Sequence, residues 1–205
     1  MGKLETTQQV DAIVIGSGIT GGWAAKELSE KGLKVLMLER GKPLEHGTGY
    51  VGEHEPPWER NNKGMRPREL YKDEYEIQST SYAFDETTRH FWNNDQQHPY
   101  DYNEEDPFHW VRADVVGGRS LLWARQSYRW SDLDFEANKK EGIGIDWPIR
   151  YKDLAPWYSY VEKFIGVSGQ AMGLDQLPDG EFQKPMDMNV VERHVASAIA
   201  DNFDG

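Results

Sequence analysis

After a polar lead of nine residues the chain turns abruptly apolar. Ile13, Val14 and Ile15 form a short β-branched run bounded by turn residues, the pattern of a buried strand. Glycine and polar positions follow. Trp23, Ala24, Ala25 and Leu28 then recur at helical spacing, which predicts a helix with those residues on its inner face. Lys26, Glu27, Glu30 and Lys31 charge the outer face, and Gly32 marks the stop. A second apolar run, Val35 to Leu38, ends in Glu39. The pattern predicts a strand–helix–strand unit from about Val10 to Gly41 and an α/β fold.

From about Leu44 to Asp106 the periodicity lapses. Gly47, Gly49, Gly52, Pro56-Pro57, Gly64 and Pro67 punctuate this stretch. Short strands are expected at Tyr75-Glu76-Ile77 and Tyr82-Ala83-Phe84. Trp58, Tyr71, Tyr75, Tyr82, Phe84, Phe91, Trp92, Tyr100 and Tyr102 argue for a packed excursion rather than disordered chain. Asp101, Glu104, Glu105 and Asp106 read as a solvated acidic turn closed by Pro107. Apolar positions return at Val115-Val116 and at Leu121-Leu122-Trp123, with Gly117-Gly118 between them. That pair is either a place of close backbone approach or an ordinary tight turn. Ser131 caps a short helix start through Phe135, Gly142-Ile143-Gly144 is a loop, and Trp147 to Ile149 is extended. Leu154, Trp157, Tyr158, Val161 and Ile165 predict a helix over Lys152–Ile165, ended by Gly166. A last amphipathic helix is expected over Asn189–Phe203, with Val191, Val195, Ala198 and Ile199 on one stripe and a turn at Asp204-Gly205. A strand should follow such a helix, and only two or three parallel strands precede it. The expectation is therefore an incomplete sheet: the N-terminal portion of a longer enzyme, or a truncated homologue.

The turn after the first strand carries chemistry. Gly16, Gly18 and Gly21 have the spacing G-x-G-x-x-G. On its own that spacing can be a glycine turn with no ligand. Here a strand precedes it, a helix follows, and an acid closes the second strand, which together specify a dinucleotide-binding unit. Gly16 allows the tight turn, Gly18 lets the backbone approach a pyrophosphate, and Gly21 lets helix and strand pack closely. The helix N-terminus offers N–H groups and a positive dipole end to the phosphates. Glu39 would accept hydrogen bonds from the adenosine ribose hydroxyls. Its charge repels a 2′-phosphate, so FAD or NAD is favoured over NADP, although Arg40 stands beside it.

Composition narrows the partners. The chain has 205 residues and a formal net charge of −12, with a sequence pI near 4.9. A nucleic-acid partner is not expected. With no cysteine there is no disulfide, thiolate chemistry or iron–sulfur site. No apolar run is long enough to span a bilayer, and Met1 to Gln9 lacks a signal-peptide core. The expectation is a soluble chain, cytoplasmic unless exported with a partner. His90 and His98 with Asp95 have the side chains of a metal site, but loop histidines lacking further ligands are more commonly solvated, and no metal is expected.

The segments Val14-Ile15-Gly16-Ser17-Gly18 and Leu38-Glu39-Arg40-Gly41 resemble the start of a flavoprotein of the glucose–methanol–choline (GMC) oxidoreductase family. Val116-Gly117-Gly118-Arg119-Ser120-Leu121-Leu122-Trp123 is similar to that family's second glycine segment. Its following tryptophan resembles the branch of pyranose oxidases and gluconate, fructose and glycoside 3-dehydrogenases. Asp134-Phe135 and the run Trp147-Pro148 through Trp157-Tyr158 and Glu162 are a third match. The resemblance implies a Rossmann-like FAD-binding core in residues 1–45 and 108–169, with 46–107 as a lid near the cofactor and 170–205 opening the next segment. It implies that Gly16, Gly18, Ile19, Thr20, Gly21, Glu39 and Arg40 hold the ADP half of FAD. Gly117, Gly118 and Ser120 would lie along the pyrophosphate and ribityl chain, with Trp123, Ala124 and Arg125 near the isoalloxazine. Some relatives attach the flavin through a histidine just before the tryptophan. Leu122 stands there, so non-covalent FAD is expected. The implied reaction is hydride transfer from a CH–OH group of a sugar, glycoside or polyol to flavin N5. An electron-acceptor subunit is a possible partner. The family's catalytic histidine maps onto no residue of this chain, and the chain alone is expected to be inactive. Two other readings stand beside this one: an NAD-dependent dehydrogenase, which leaves Gly117-Gly118 unexplained, and a non-catalytic truncated module of the same fold.

Overall fold

The computed structural model describes residues 9–65 and 68–203. The lead Met1–Gln8, Pro67 and the closing Asp204-Gly205 lie outside the described residues. The chain divides into two compact units, one ending at Ala124 and one beginning at Arg125.

In the first unit the strand–helix–strand prediction is realised. β1 (Ala12–Ile15) and β2 (Val35–Leu38) run parallel, with Ala12 opposite Val35 and Ile15 opposite Leu38, and α1 (Ile19–Glu30) crosses between them. Asp11 fixes the entry: its N–H donates to Lys34 O at 2.9 Å, and its carboxylate accepts from Lys34 N at 2.8 Å. Burial departs from the expectation. Val14 is buried, but Ile13 and Ile15 are 58% and 84% exposed. The alternation of a strand puts Val14 on the face toward α1, where an added Cβ at Gly21 would lie 3.4 Å from Val14 Cγ1. Ile13 and Ile15 fall on the opposite face, which no described helix covers. Trp23, Ala25 and Leu28 of α1 are half-buried, while Ala24 is exposed rather than inward.

The pairing continues beyond β2. A Cβ at Gly41 would sit 2.4 Å from the carbonyl carbon of Val115, so only glycine allows this approach. Lys42 and Val115 then form a parallel bridge, with Lys42 N donating to Asp114 O at 3.1 Å and Val116 N to Lys42 O at 2.9 Å. The same segment pairs antiparallel with the excursion, Ala113 opposite Trp92.

The excursion is packed, but not as strands. Tyr75–Ile77 and Tyr82–Phe84 are turns, because their amides bond locally: Tyr75 N to Tyr71 O at 2.7 Å and Phe84 N to Ser81 O at 3.1 Å. Short 3-10 segments recur, among them Gln78–Thr80 and Arg89–Phe91. The core of the unit is aromatic. Tyr71, Phe84, Phe91 and Trp92 cluster with Val115 and Leu122, the apolar residues on either side of the second glycine pair. A polar spine runs through it. Gln78 is fully buried, gives 2.7 Å to Asp95 Oδ1 and takes 2.6 Å from Arg112 N. The Arg112 guanidinium donates to His98 O at 2.6 Å and lies over the rings of Tyr100 and Trp110.

The second unit is helical. Ser131 and Asp134 form a capping box on α2 (Asp132–Phe135), and Phe135 packs against Trp130 and Trp147. α3 (Ala137–Glu141) ends at Gly142, and α4 (Tyr151–Ile165) at Gly166, both in the left-handed conformation. α5 (Val190–Asn202) starts at an Asn189–Glu192 capping box, and Val191, Val195 and Ile199 of its apolar stripe are exposed. A bidentate ion pair braces α4: Arg129 Nε and Nη2 reach the Glu162 oxygens at 2.8 and 2.6 Å. Tyr151, Ser159 and the Glu181 amide complete this cluster. Burial alone would push the Glu162 carboxyl up. The Arg129 hydrogen bonds and charge and the Glu181 N–H outweigh it and hold the carboxyl below its ordinary range.

Both side chains of this pair are about nine-tenths buried, at 7% and 10% exposure. Arg129→Ala is expected to lower unfolding free energy by about 3–5 kcal/mol in urea titration, because it strands a buried carboxylate. Arg129→Met with Glu162→Leu should recover most of that loss. Equal instability of the single and double variants would contradict this account.

Candidate functional site

The site is built where β1 hands over to α1. Gly16 turns with φ +90, its N–H donating to Leu38 O at 2.7 Å, which ties the turn to the end of β2. Gly18 caps α1 without a side chain, and no acidic residue stands in the first turn. The helix supplies no anion of its own to its dipole there, and the nearby carboxylate is Glu39, bonded to Ser17 just before the cap. Ile19 and Thr20 open the helix, both exposed. Gly21 faces back onto the turn: a Cβ there would lie 2.0 Å from Gly16 O. A Cβ at Gly16 or Gly18 would meet nothing within 4 Å. The three glycines thus have two roles, one of close packing at Gly21 and one of open approach at Gly16 and Gly18.

Glu39 closes the site from the end of β2. Its Oε2 accepts from Ser17 N at 2.6 Å and Ser17 Oγ at 2.5 Å, and its Oε1 accepts from Gly41 N at 2.6 Å. The Ser17 hydroxyl, then the Gly41 and Ser17 amides, hold the carboxyl down at about 2, against an ordinary 4.5. Arg40 points elsewhere, its guanidinium 3.8 Å from the buried Asp114 carboxylate, which Lys42 and His98 also approach at 3.8 and 3.7 Å.

The second glycine pair arrives at the same place. Gly117 is left-handed, at φ +89, and its N–H donates to Ser17 Oγ at 2.8 Å. A Cβ on Gly118 would come 3.9 Å from Gly18 Cα. The Ser120 hydroxyl donates to Gly117 O at 2.6 Å and closes the 3-10 turn Gly118–Leu121. Trp123 follows half-buried and Ala124 exposed. Arg125 opens the second unit with φ +60, a left-handed conformation uncommon for a residue with a side chain. Of the expected site residues, the first glycine motif, Glu39, Gly117, Gly118 and Ser120 converge. Arg40 engages Asp114 instead, and Arg125 belongs to the other unit.

Ser17 and Gly41 hold the site together, yet both are silent in the motif, where they occupy free positions. The signal was a hydroxyl between two glycines and a glycine two residues behind the acid. His90 Nε2 bonds Gly49 O at 2.7 Å, and Asp95 is engaged by Gln78 and Arg112. Among the described residues no group of three or more His, Cys, Asp or Glu side chains could hold a metal ion.

The fit to a dinucleotide follows from this geometry. The backbone at Gly16 and Gly18 is open enough to admit a diphosphate, and the ionised carboxylate beside it has the acceptor chemistry a diol requires. Gly21→Ala is expected to disrupt the turn and abolish dinucleotide binding in calorimetry, because its Cβ collides with backbone. Glu39 is more acidic folded than unfolded, so its contribution to stability is full above pH 4.5 and is lost as pH falls through about 2. Acid unfolding followed by circular dichroism should therefore lose part of its slope in that window in Glu39→Gln.

Comparison with known proteins agrees with the geometry. The family described as FAD dependent oxidoreductase (DAO) matches residues 11–147, which contain both glycine segments and Glu39. The chain is similar to the 2-methyl-1,2-propanediol dehydrogenase of Mycolicibacterium austroafricanum, 28% identical over 96% of this chain and 32% of that protein. It is similar to the fructose dehydrogenase large subunit of Gluconobacter japonicus, 28% identical over 89% of this chain and 31% of that protein. The gluconate 2-dehydrogenase flavoprotein of Pantoea cypripedii is 27% identical over 80% of this chain and 26% of its own length. The chain thus spans about a third or less of the length of these relatives. The matched region is the one that carries the converging glycines, and the chain belongs to the FAD dependent oxidoreductase family, with FAD as its cofactor.

Proposed function

We propose that this chain is the FAD-binding portion of an oxidoreductase acting on CH–OH groups of a sugar, glycoside or polyol, in the GMC branch. The observation that carries the reading is the meeting of both glycine segments at Ser17, beside Glu39. A single βαβ unit for NAD would need only the first segment. The approach of Gly118 to Gly18 supports an elongated cofactor that runs past both. The diol and sugar substrates in the names of the relatives support the substrate class.

In this reading the N-terminus of α1 and the bare backbone of Gly16 and Gly18 take the diphosphate. Glu39 accepts the ribose hydroxyls and repels a 2′-phosphate. Gly117, Gly118 and Ser120 continue along the cofactor toward Trp123, Ala124 and Arg125. Bound FAD supplies the two-electron redox chemistry, with hydride transfer from the alcohol carbon to N5. Leu122 is buried in the aromatic core and has no nucleophilic atom, which supports non-covalent attachment. Residues 1–45 and 108–169 would serve as the cofactor portion, 46–107 as its lid, and 170–205 as the start of the next segment. The fructose dehydrogenase relative is the large subunit of its enzyme, which supports a partner subunit here, in this reading the electron acceptor. Among the described residues no helix is long and apolar enough to cross a membrane.

The test is titration of the chain with FAD and with NAD, followed by calorimetry and flavin fluorescence. FAD should bind and be released intact by denaturation. Glu39→Ala should weaken it about 10- to 100-fold, the worth of a hydrogen-bonded charge. Binding of NAD but not FAD, or full FAD affinity in Glu39→Ala, would overturn the reading.

A further inference from the structure

Glu39 and Gly117 have no direct contact, yet one hydroxyl touches both. Ser17 Oγ donates to Glu39 Oε2 at 2.5 Å and accepts from Gly117 N at 2.8 Å. We propose that Ser17 couples the two ends of the site: when a ribose diol occupies Glu39, the hydrogen bonding of the Gly117 amide changes, so the adenosine end sets the turn farther along the cofactor. The inference rests on the FAD reading above and deepens it.

The argument is a count of hydrogen-bond positions. A carboxylate offers about four acceptor positions. Glu39 already uses three, for Ser17 N, Ser17 Oγ and Gly41 N. A vicinal diol donates two hydrogen bonds, so one present donor has to leave. Two of the three are backbone amides. Ser17 N lies in the turn between Gly16 and Gly18, and Gly41 is pinned against Val115, where a Cβ would be 2.4 Å from the carbonyl carbon. Both amides are fixed by the backbone around them, Ser17 by the Gly16 N–H bond to Leu38 O and Gly41 by its packing on Val115. The Ser17 hydroxyl turns about one bond, so it is the donor that yields.

Its oxygen is also the acceptor of Gly117 N–H. When the hydroxyl turns, its lone pairs turn with it, and that bond is remade or lost. Gly117 O is held from within the turn, by Ser120 N at 3.1 Å and Ser120 Oγ at 2.6 Å. The N–H side is thus the adjustable one, and it stands at the head of the Gly118–Leu121 segment. Ser17 acts here as a positioning residue and touches no reacting atom.

The experiment uses the 205-residue chain and ADP as the probe. Calorimetry reads binding, and amide hydrogen exchange reads Gly117 and Gly118. Saturating ADP should change Gly117 exchange several-fold, up to about tenfold, the range of one backbone hydrogen bond. A 2′,3′-dideoxy analogue of ADP should bind more weakly and leave Gly117 unchanged. In Ser17→Ala, Gly117 should stay insensitive at saturating ADP, whatever the affinity, and Ser17→Thr should restore the response. An equal response to ADP and the dideoxy analogue, or an undiminished response in Ser17→Ala, overturns the coupling alone. The analogue comparison decides the matter on the unaltered protein if a variant fails to fold. No ADP binding at all would overturn the cofactor reading and the coupling with it.

Discussion

The first unit depends on one exposed carboxylate that is nonetheless fully engaged. Glu39 collects hydrogen bonds from the turn after β1 and from the residue that begins the next pairing. An exposed ion pair would be worth little, since water competes for both partners. Here the donors are two backbone amides and a short hydroxyl, which lose little side-chain entropy on bonding. The lowered pKa of Glu39 expresses the same fact: a proton on the carboxylate would compete with these donors. Because the charge sits opposite an uncapped helix N-terminus, the site presents a positive and a negative pole side by side.

The aromatic excursion gives this arrangement its support. Val115 and Leu122 belong to the same cluster as Tyr71, Phe84, Phe91 and Trp92, so the segment bearing Gly117-Gly118 is anchored on both sides. Arg112 and Gln78 fix the approach to it by buried hydrogen bonds. Asn93 is fully buried with neither side-chain amide atom bonded within the protein, and the Arg112 Nε is likewise buried without a hydrogen bond. A buried water is the ordinary partner for such a group.

Much of this could be read from the chain, for reasons that differ by element. β1, α1 and β2 were legible because hydrophobic period and glycine punctuation agree, and the register follows from them. The cap at Ser131 was legible because a cap is a local signal, and the structure adds a second capping box at Asn189. The excursion was not. Tyr75–Ile77 and Tyr82–Phe84 have β-forming residues, but their rings bury by clustering rather than by ladder pairing, and period carries no such information. Ile13 and Ile15 misled in another way: an apolar run announces burial on two faces, and these described residues cover one. Arg129 and Glu162 lie 33 residues apart, and Ser17 and Gly117 lie 100 apart. Partnerships of that reach leave no trace in spacing.

The span between Ser17 and Gly117 has a bearing on how the molecule assembles. Closing a flexible loop of that length costs on the order of 4 kcal/mol by the three-halves logarithmic law. One hydrogen bond returns about 1 kcal/mol. The bond is therefore formed only after aromatic condensation has already drawn the ends together. The strand–helix–strand half, from Asp11 to Gly41, can organise from neighbouring residues, while the second glycine turn joins it across the longer span. On loop-closure grounds the meeting of the two glycine turns follows, rather than drives, the packing of the aromatic core.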